Sequence, residues 1–179
     1  MRICDDRYSR DRSRYDLALR FIENEARTRT IRVWTGLSDD RIRKLYRSYM
    51  NSGGRSRPVR HRGKSPQQTG YFTRSARVRC EASLLASLCS ILGALPTAPL
   101  SDARRQLPGV GRGGLLCHAF EIYRQQSTAP QISFEHAVLL VTQLACSEEL
   151  VLRNCAGCGA QVICDRYALR PPHCHHCLG

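Results

Sequence analysis

The chain has 179 residues, ten cysteines and a formal charge of +13. That length supports one compact domain with a small appendage, and a hydrophobic core that needs no disulfides. The first 15 residues mix Arg with Asp and lack the basic-then-apolar order of a secretory leader, and the longest apolar run, 84–95, is broken by Ser87 and Ser90 and too short for roughly 30 Å of hydrocarbon. The composition therefore predicts a cytoplasmic protein without a membrane span, in a reducing compartment where cysteines serve as metal ligands or small buried hydrophobes.

The charge is unevenly placed. Residues 1–80 hold 21 Lys or Arg against 8 Asp or Glu, whereas residues 81–179 hold seven of each. A basic region beside a neutral one is the electrostatic footprint of a protein that meets a polyanion at one end, nucleic acid foremost. Solubility charge is the competing explanation, since only Lys44 and Lys64 are lysines.

In chain order, apolar residues recur at helical spacing over 16–34 (Leu17, Phe21, Ile22, Ala26, Ile31, Trp34), predicting one amphipathic helix with a break near 28–30. Gly36 supplies a turn. Ser38 is a good N-cap, and Asp39 and Asp40 complement the dipole of a second helix over 39–50. That helix places Ile42, Leu45, Tyr46 and Tyr49 on one face and Arg41, Lys44 and Arg47 on another. Residues 1–50 thus form a basic helical region. Residues 51–70 carry Arg55, Arg57, Arg60, Arg62 and Lys64 without an acidic residue, and with several Gly and Pro they predict a mobile basic loop.

A helical core is expected over 71–153. Its long apolar helix, 73–95, is centred on Leu84, Leu85, Leu88, Ile91 and Leu92 and stopped by Pro96. The Gly- and Pro-rich stretch to Gly114 reads as a connector with one short helix after Ser101. Two further helices follow, over 115–126 and, capped by Ser133, over 134–146.

The last 26 residues, 154–179, read as a separate module. Cys155 and Cys158 form one Cys-x-x-Cys turn, Cys174 and Cys177 a second, with 15 residues between. Each turn brings two thiolates to one ion, and two turns complete the tetrahedron that zinc prefers. Four protein ligands leave no open position for water, so the expectation is one structural Zn2+ per chain. Iron or disulfides are the alternatives, and Cys164, His173, His175 and His176 are substitute ligands. A short hairpin, 161–163 against 167–169, fits the intervening length. Cys4, Cys80, Cys89, Cys117 and Cys146 are scattered, and four of them lie in apolar helical segments. No nucleophile, base and oxyanion-hole arrangement is visible around Cys117, His118 or His136, so no enzyme is expected.

The pair of helices about Gly36 can be laid against a helix-turn-helix, with Ile42 and Leu45 inward and Arg41, Lys44 and Arg47 facing a duplex. Arg32 departs from the pattern, standing four before the turn glycine where a small residue is usual. An ordinary amphipathic pair is the alternative. The arginines of the 51–70 loop would add phosphate contacts.

Segment 35–47 ends in Lys44, Leu45, Tyr46 and Arg47; Gly63 and Pro66 precede the aromatic pair Tyr71 and Phe72; and the cysteine quartet follows an apolar helix. Together these features resemble the FlhC family, a subunit of the flagellar master transcriptional activator. The 51–70 loop is richer in arginine than the family's, so the chain is similar to a divergent member. The resemblance implies a mainly helical, zinc-containing protein that binds double-stranded DNA in a hetero-oligomer with an FlhD-type subunit and activates transcription by RNA polymerase, of flagellar or other motility-related genes. Of the site residues, the four cysteines carry over. A non-enzymatic zinc-containing assembly protein with nonspecific nucleic-acid binding is the alternative reading.

Overall fold

The structure is a computed structural model that describes residues 2–51, 59–61, 63–96, 107–146 and 148–177. Among them are six α-helices and one two-stranded sheet, so the chain is mainly α with a small C-terminal cysteine module. None of these helices is long and apolar enough to cross a membrane.

Helix α1 spans Arg2–Glu23, starting well before residue 16, where apolar periodicity begins. Residues 8–15 lie largely in solvent, and Arg14 with Asp11 (3.6 Å) and Arg12 with Asp16 (3.9 Å) pair along the exposed surface. Such pairs add little stability, but they make an apolar stripe unnecessary there. The stripe marks only the buried half, Leu17, Ala18, Phe21 and Ile22. The break falls at residues 24–27, ahead of the expected 28–30. Ala26 N donates to Phe21 O (2.8 Å) and Glu25 N to Ile22 O (3.0 Å), a Schellman closure in which Glu25 takes the left-handed conformation (φ 61°) that glycine usually fills.

Helix α2, Thr28–Thr35, ends on Gly36 in the left-handed region (φ 69°), whose amide donates to Arg32 O. Helix α3, Asp39–Asn51, keeps the expected start, and Ile42 and Tyr46 are buried. Arg32 does not obstruct the α2–α3 pair: it is exposed and reaches Asp39 across the turn (3.7 Å).

A 3-10 turn, Thr69–Thr73, inserts the fully buried Phe72 and leads into α4, Ala76–Ile91, capped by Ser75 Oγ accepting from Val78 N. Helix α4 stops before Pro96. Gly93 (φ 77°) makes a second Schellman closure, with Ala94 N donating to Cys89 O (2.8 Å) and Gly93 N to Ser90 O (3.1 Å). The short helix expected after Ser101 lies outside the described residues.

Helix α5, Val110–Gln126, begins inside the stretch expected as a connector. One of the glycines there, Gly113, has a packing reason. A Cβ on Gly113 would stand 2.7 Å from Leu17 Cδ2 and 3.2 Å from Trp34 Cε3, so only glycine lets α5 approach α1 and α2 this closely. Helix α6, Phe134–Cys146, follows its expected bounds, with Ser133 Oγ accepting from His136 N.

The hairpin pairs strands other than those expected. Strand β1, Leu150–Asn154, runs antiparallel to β2, Gln161–Asp165, with Leu152 opposite Ile163; residues 167–169 form no strand. The Cys155–Cys158 turn therefore sits at the tip of the hairpin rather than before it. Strand β2 lies on α4: Ile163 is fully buried, and its amide donates to Ser83 Oγ (3.0 Å). One hydrophobic cluster joins Phe21, Trp34, Leu85, Phe120, Phe134 and Ile163. Phe134 packs edge-on against Phe21 and Phe120, with centroids 4.9 and 5.2 Å apart.

Candidate metal centre and basic surface

Hairpin and tail bring the two Cys-x-x-Cys turns together. The Sγ atoms of Cys155, Cys158, Cys174 and Cys177 all lie within 4.8 Å of one another, with Cys158 and Cys174 3.5 Å apart. The tip is closed by Cys155 N donating to Ala160 O (2.7 Å) and Gly159 N to Cys155 O (2.9 Å), with Gly159 left-handed (φ 75°). The tail is fastened by Ala156 N donating to Pro172 O (2.9 Å) and Cys177 N to Cys174 O (3.1 Å). Gly157 is required by space: a Cβ there would meet Cys177 Sγ at 2.9 Å.

The electrostatics fit a cation. Cys174 N donates to Cys155 Sγ (3.2 Å), and this bond, with amides of the 155–158 turn, lowers the Cys155 thiol to about 5. Cys177 is pushed up to about 12 by its contacts with the sulfurs of Cys174, Cys158 and Cys155. Four thiolates this close cannot all carry charge unless a cation neutralises them, so this donor set can hold one metal ion. Cys164, His173, His175 and His176 are not members of the cluster. Cys164 instead points its thiol at Val151 O (3.7 Å) within the hairpin.

The scattered cysteines that are buried behave as hydrophobes. Burial pushes the thiols of Cys89 and Cys117 up to about 12. Ser133 and His136 do meet, Oγ to Nδ1 at 2.8 Å, but the serine caps α6 while the imidazole stacks on Tyr71 at 3.9 Å. Burial, then Arg74 and Arg27, lower the pKa of that imidazole.

The basic residues expected to meet DNA divide into three groups. Arg41, Lys44 and Arg47 are exposed on α3, opposite Ile42 and Tyr46, and none has an ion-pair partner among the described residues. Their neighbour Arg43 is engaged with Asp40 (3.1 Å). Arg60 and Lys64 lie on a segment that folds back onto the junction of α1 and α2. Glu25 anchors it, accepting from Val59 N (3.1 Å) and bonding His61 Nε2 (3.0 Å), while the Arg60 guanidinium lies 5.2 Å from the centroid of the Tyr46 ring. Arg55, Arg57 and Arg62 lie outside the described residues.

Sequence reasoning missed Arg27 and Arg29, which flank the start of α2 beside Arg60 and Lys64. The available signal was their position on either side of Thr28, at the expected helix break. It also missed Glu135, a buried carboxylate on α6 that accepts from Arg27 N (2.8 Å) and Thr30 Oγ1 (3.0 Å) and so caps α2 from another helix. No local pattern reveals a cap more than a hundred residues away.

No known protein family and no curated protein matches the chain.

Proposed function

We propose that the chain is a DNA-binding transcriptional activator subunit of the kind represented by FlhC, and that its cysteine cluster holds one structural Zn2+. The observation that carries the DNA reading is the face of α3: three exposed cations on a short helix whose opposite side is anchored in the core. In this reading α2, the Gly36 turn and α3 act as a helix-turn-helix, and Arg41, Lys44 and Arg47 approach the duplex. Long cationic side chains there contact phosphates and base edges, and each phosphate neutralised releases condensed counterions. Zinc suits the four-thiolate donor set, and with every position filled by protein its role is architectural. It ties the tail to the hairpin, and the hairpin rests on α4.

An FlhD-type partner and RNA polymerase complete the proposal as the other members of the assembly. Support for a partner subunit comes from α4, where Leu84 and Ile91 are 41% and 80% exposed and Leu88 lies half-buried between them on the same face. That observation also favours the second reading, a zinc-containing assembly protein whose arginines bind nucleic acid without sequence preference.

One experiment separates the two. The chain, co-expressed with a small FlhD-like protein from the same source, is used to recover genomic DNA fragments at rising salt. Enrichment of specific sites, lost when Arg41, Lys44 and Arg47 are replaced by Glu, supports the activator. Recovery without sequence preference supports the assembly protein. Metal analysis of the purified chain tests the zinc assignment: one equivalent per chain is expected, and iron or no metal overturns it.

A further inference from the structure

The basic half of the chain contains a hollow that the α3 face does not explain. Where residues 59–61 and 63–65 fold over the start of α2, a cavity of about 500 Å³ opens, lined by the cations Arg27, Arg29, Arg60 and Lys64, with His61 between them and no carboxylate among the described residues of its wall. Like charges gathered around one space repel, and an anion placed among them relieves that repulsion.

Arg27 gives the second, independent observation. Its Nε and Nη1 atoms have no solvent contact and no hydrogen-bond partner. A guanidinium carries five donors, and leaving some of them buried without acceptors is costly, so Arg27 is a cation that the fold itself does not neutralise. The two nearest carboxylates do not supply it. Glu25 is committed to Val59 N and His61 Nε2, and Glu135 to Arg27 N and Thr30 Oγ1. Glu135 thus binds the backbone of Arg27, leaving its side chain free. The far wall is held in place by the Glu25 anchor and by Arg60 over Tyr46.

We propose that this cavity binds a phosphate group, with Arg27, Arg29, Arg60 and Lys64 as the surrounding cations. Arginine suits the role because its planar fork matches phosphate oxygens in pairs. Resting on the DNA reading above, the phosphate is a backbone phosphodiester, held beside the helix pair that meets the duplex. The same chemistry accepts free inorganic phosphate.

The test uses the full metal-loaded chain in two arms. In the first, thermal unfolding is followed in inorganic phosphate and in chloride at matched ionic strength. Phosphate is expected to raise Tm progressively, as a ligand of the folded state does. Arg27→Met is expected to raise Tm in phosphate-free buffer, because it removes an unpaired buried cation, and to abolish the phosphate increment. Lys64→Gln, at an exposed position, is expected to shrink that increment without changing the starting Tm. In the second arm, duplex DNA affinity is measured against salt, and each substitution is expected to lower the log–log slope by about 1. An Arg27-dependent phosphate increment in a chain that binds no DNA supports the site and sinks the DNA reading. Normal DNA binding with unchanged slopes in both variants, and no increment beyond chloride, sinks the site and spares the DNA reading. A phosphate increment that survives both substitutions also overturns the proposal.

Discussion

The cysteine module and the arginine-rich half solve opposite problems with charge. In the module, four cysteine sulfurs are brought within 4.8 Å by turns that short sequence spacing dictates, and one cation would neutralise all four as thiolates. In the basic half, cations are spread over a helix face, a folded-back segment and a helix start, and what distinguishes the important ones is the absence of a partner. A closed site announces itself by what it contains, and an open one by what it lacks. The first is therefore local in sequence, and the second emerges only when every carboxylate in the fold has been assigned.

The strongest test of this contrast removes the metal. If the cluster holds zinc as proposed, Cys158→Ser, or chelation of the wild-type chain, withdraws binding free energy on the order of 10 kcal/mol from the folded module. Amide exchange in β1, β2 and the tail is expected to accelerate sharply, and in α4 to a lesser degree through Ile163 and Ser83. Helices α1–α3, which do not contact the hairpin through their own residues in any extensive way, are expected to keep their protection. Equal acceleration in α1–α3 would show that the two regions unfold as one unit.

A smaller effect tests how the N-terminal helices are held. Gly113→Ala drives a Cβ to 2.7 Å from Leu17 Cδ2, and overpacking of this kind costs about 1–3 kcal/mol. Gly114, one residue on, has open space where its Cβ would go, and Gly114→Ala is expected to stabilise by about 0.5–1 kcal/mol through helix propensity. Opposite signs at adjacent positions in denaturant titrations confirm the close approach of α5 to α1 and α2. Destabilisation by both would show that the glycine-rich start of α5 needs flexibility instead.

Glu81 links α4 to α5 and to the loop before α6. Burial by itself would raise its carboxyl pKa, but hydrogen bonds from Tyr123 (2.5 Å), Gln131 N (2.8 Å) and Arg77 (3.1 Å) outweigh that and hold it below the ordinary 4.5. A carboxyl depressed in the folded state contributes stability that is present above 4.5 and is lost as pH falls through its folded value. Wild-type stability should therefore drop below that pH, and Glu81→Gln should be less stable at neutral pH but flatter in acid. A variant whose acid limb parallels the wild type removes Glu81 from the account.

What could be read in the sequence follows the same division. Helix α6 and the start of α3 were legible to the residue, because Ser133, Ser38 and the first-turn aspartates are local signals. The four cysteines were legible because ligand spacing is a chain property. The first turns of α1 were not, since an exposed helix need show no apolar period, and the glycine-rich start of α5 read as a connector because the close contact that Gly113 permits lies on other helices. The strand paired with β2 was missed for a related reason. Leu150–Asn154 precedes the first cysteine, so a hairpin sought between the ligands could not include it.

The smallest expected effect on stability belongs to the residues with the largest proposed role. Arg41, Lys44 and Arg47 are exposed and unpaired among the described residues, so replacing all three by Gln should change unfolding free energy by no more than about 0.5 kcal/mol each. Removing like charges from a region that carries the whole net charge of the chain should even stabilise it slightly at low salt. If α3 meets DNA, the same variant loses affinity across sequences and its salt slope falls by as many units as phosphates were contacted, up to about 3. Three outcomes then sort the surface. A large drop in slope with little loss of sequence preference assigns these side chains to phosphates. A loss of preference with a modest drop assigns at least one of them to a base edge. Unchanged affinity moves the DNA contact off α3, with the folded-back segment and the Arg27 cavity as the next basic ground to test.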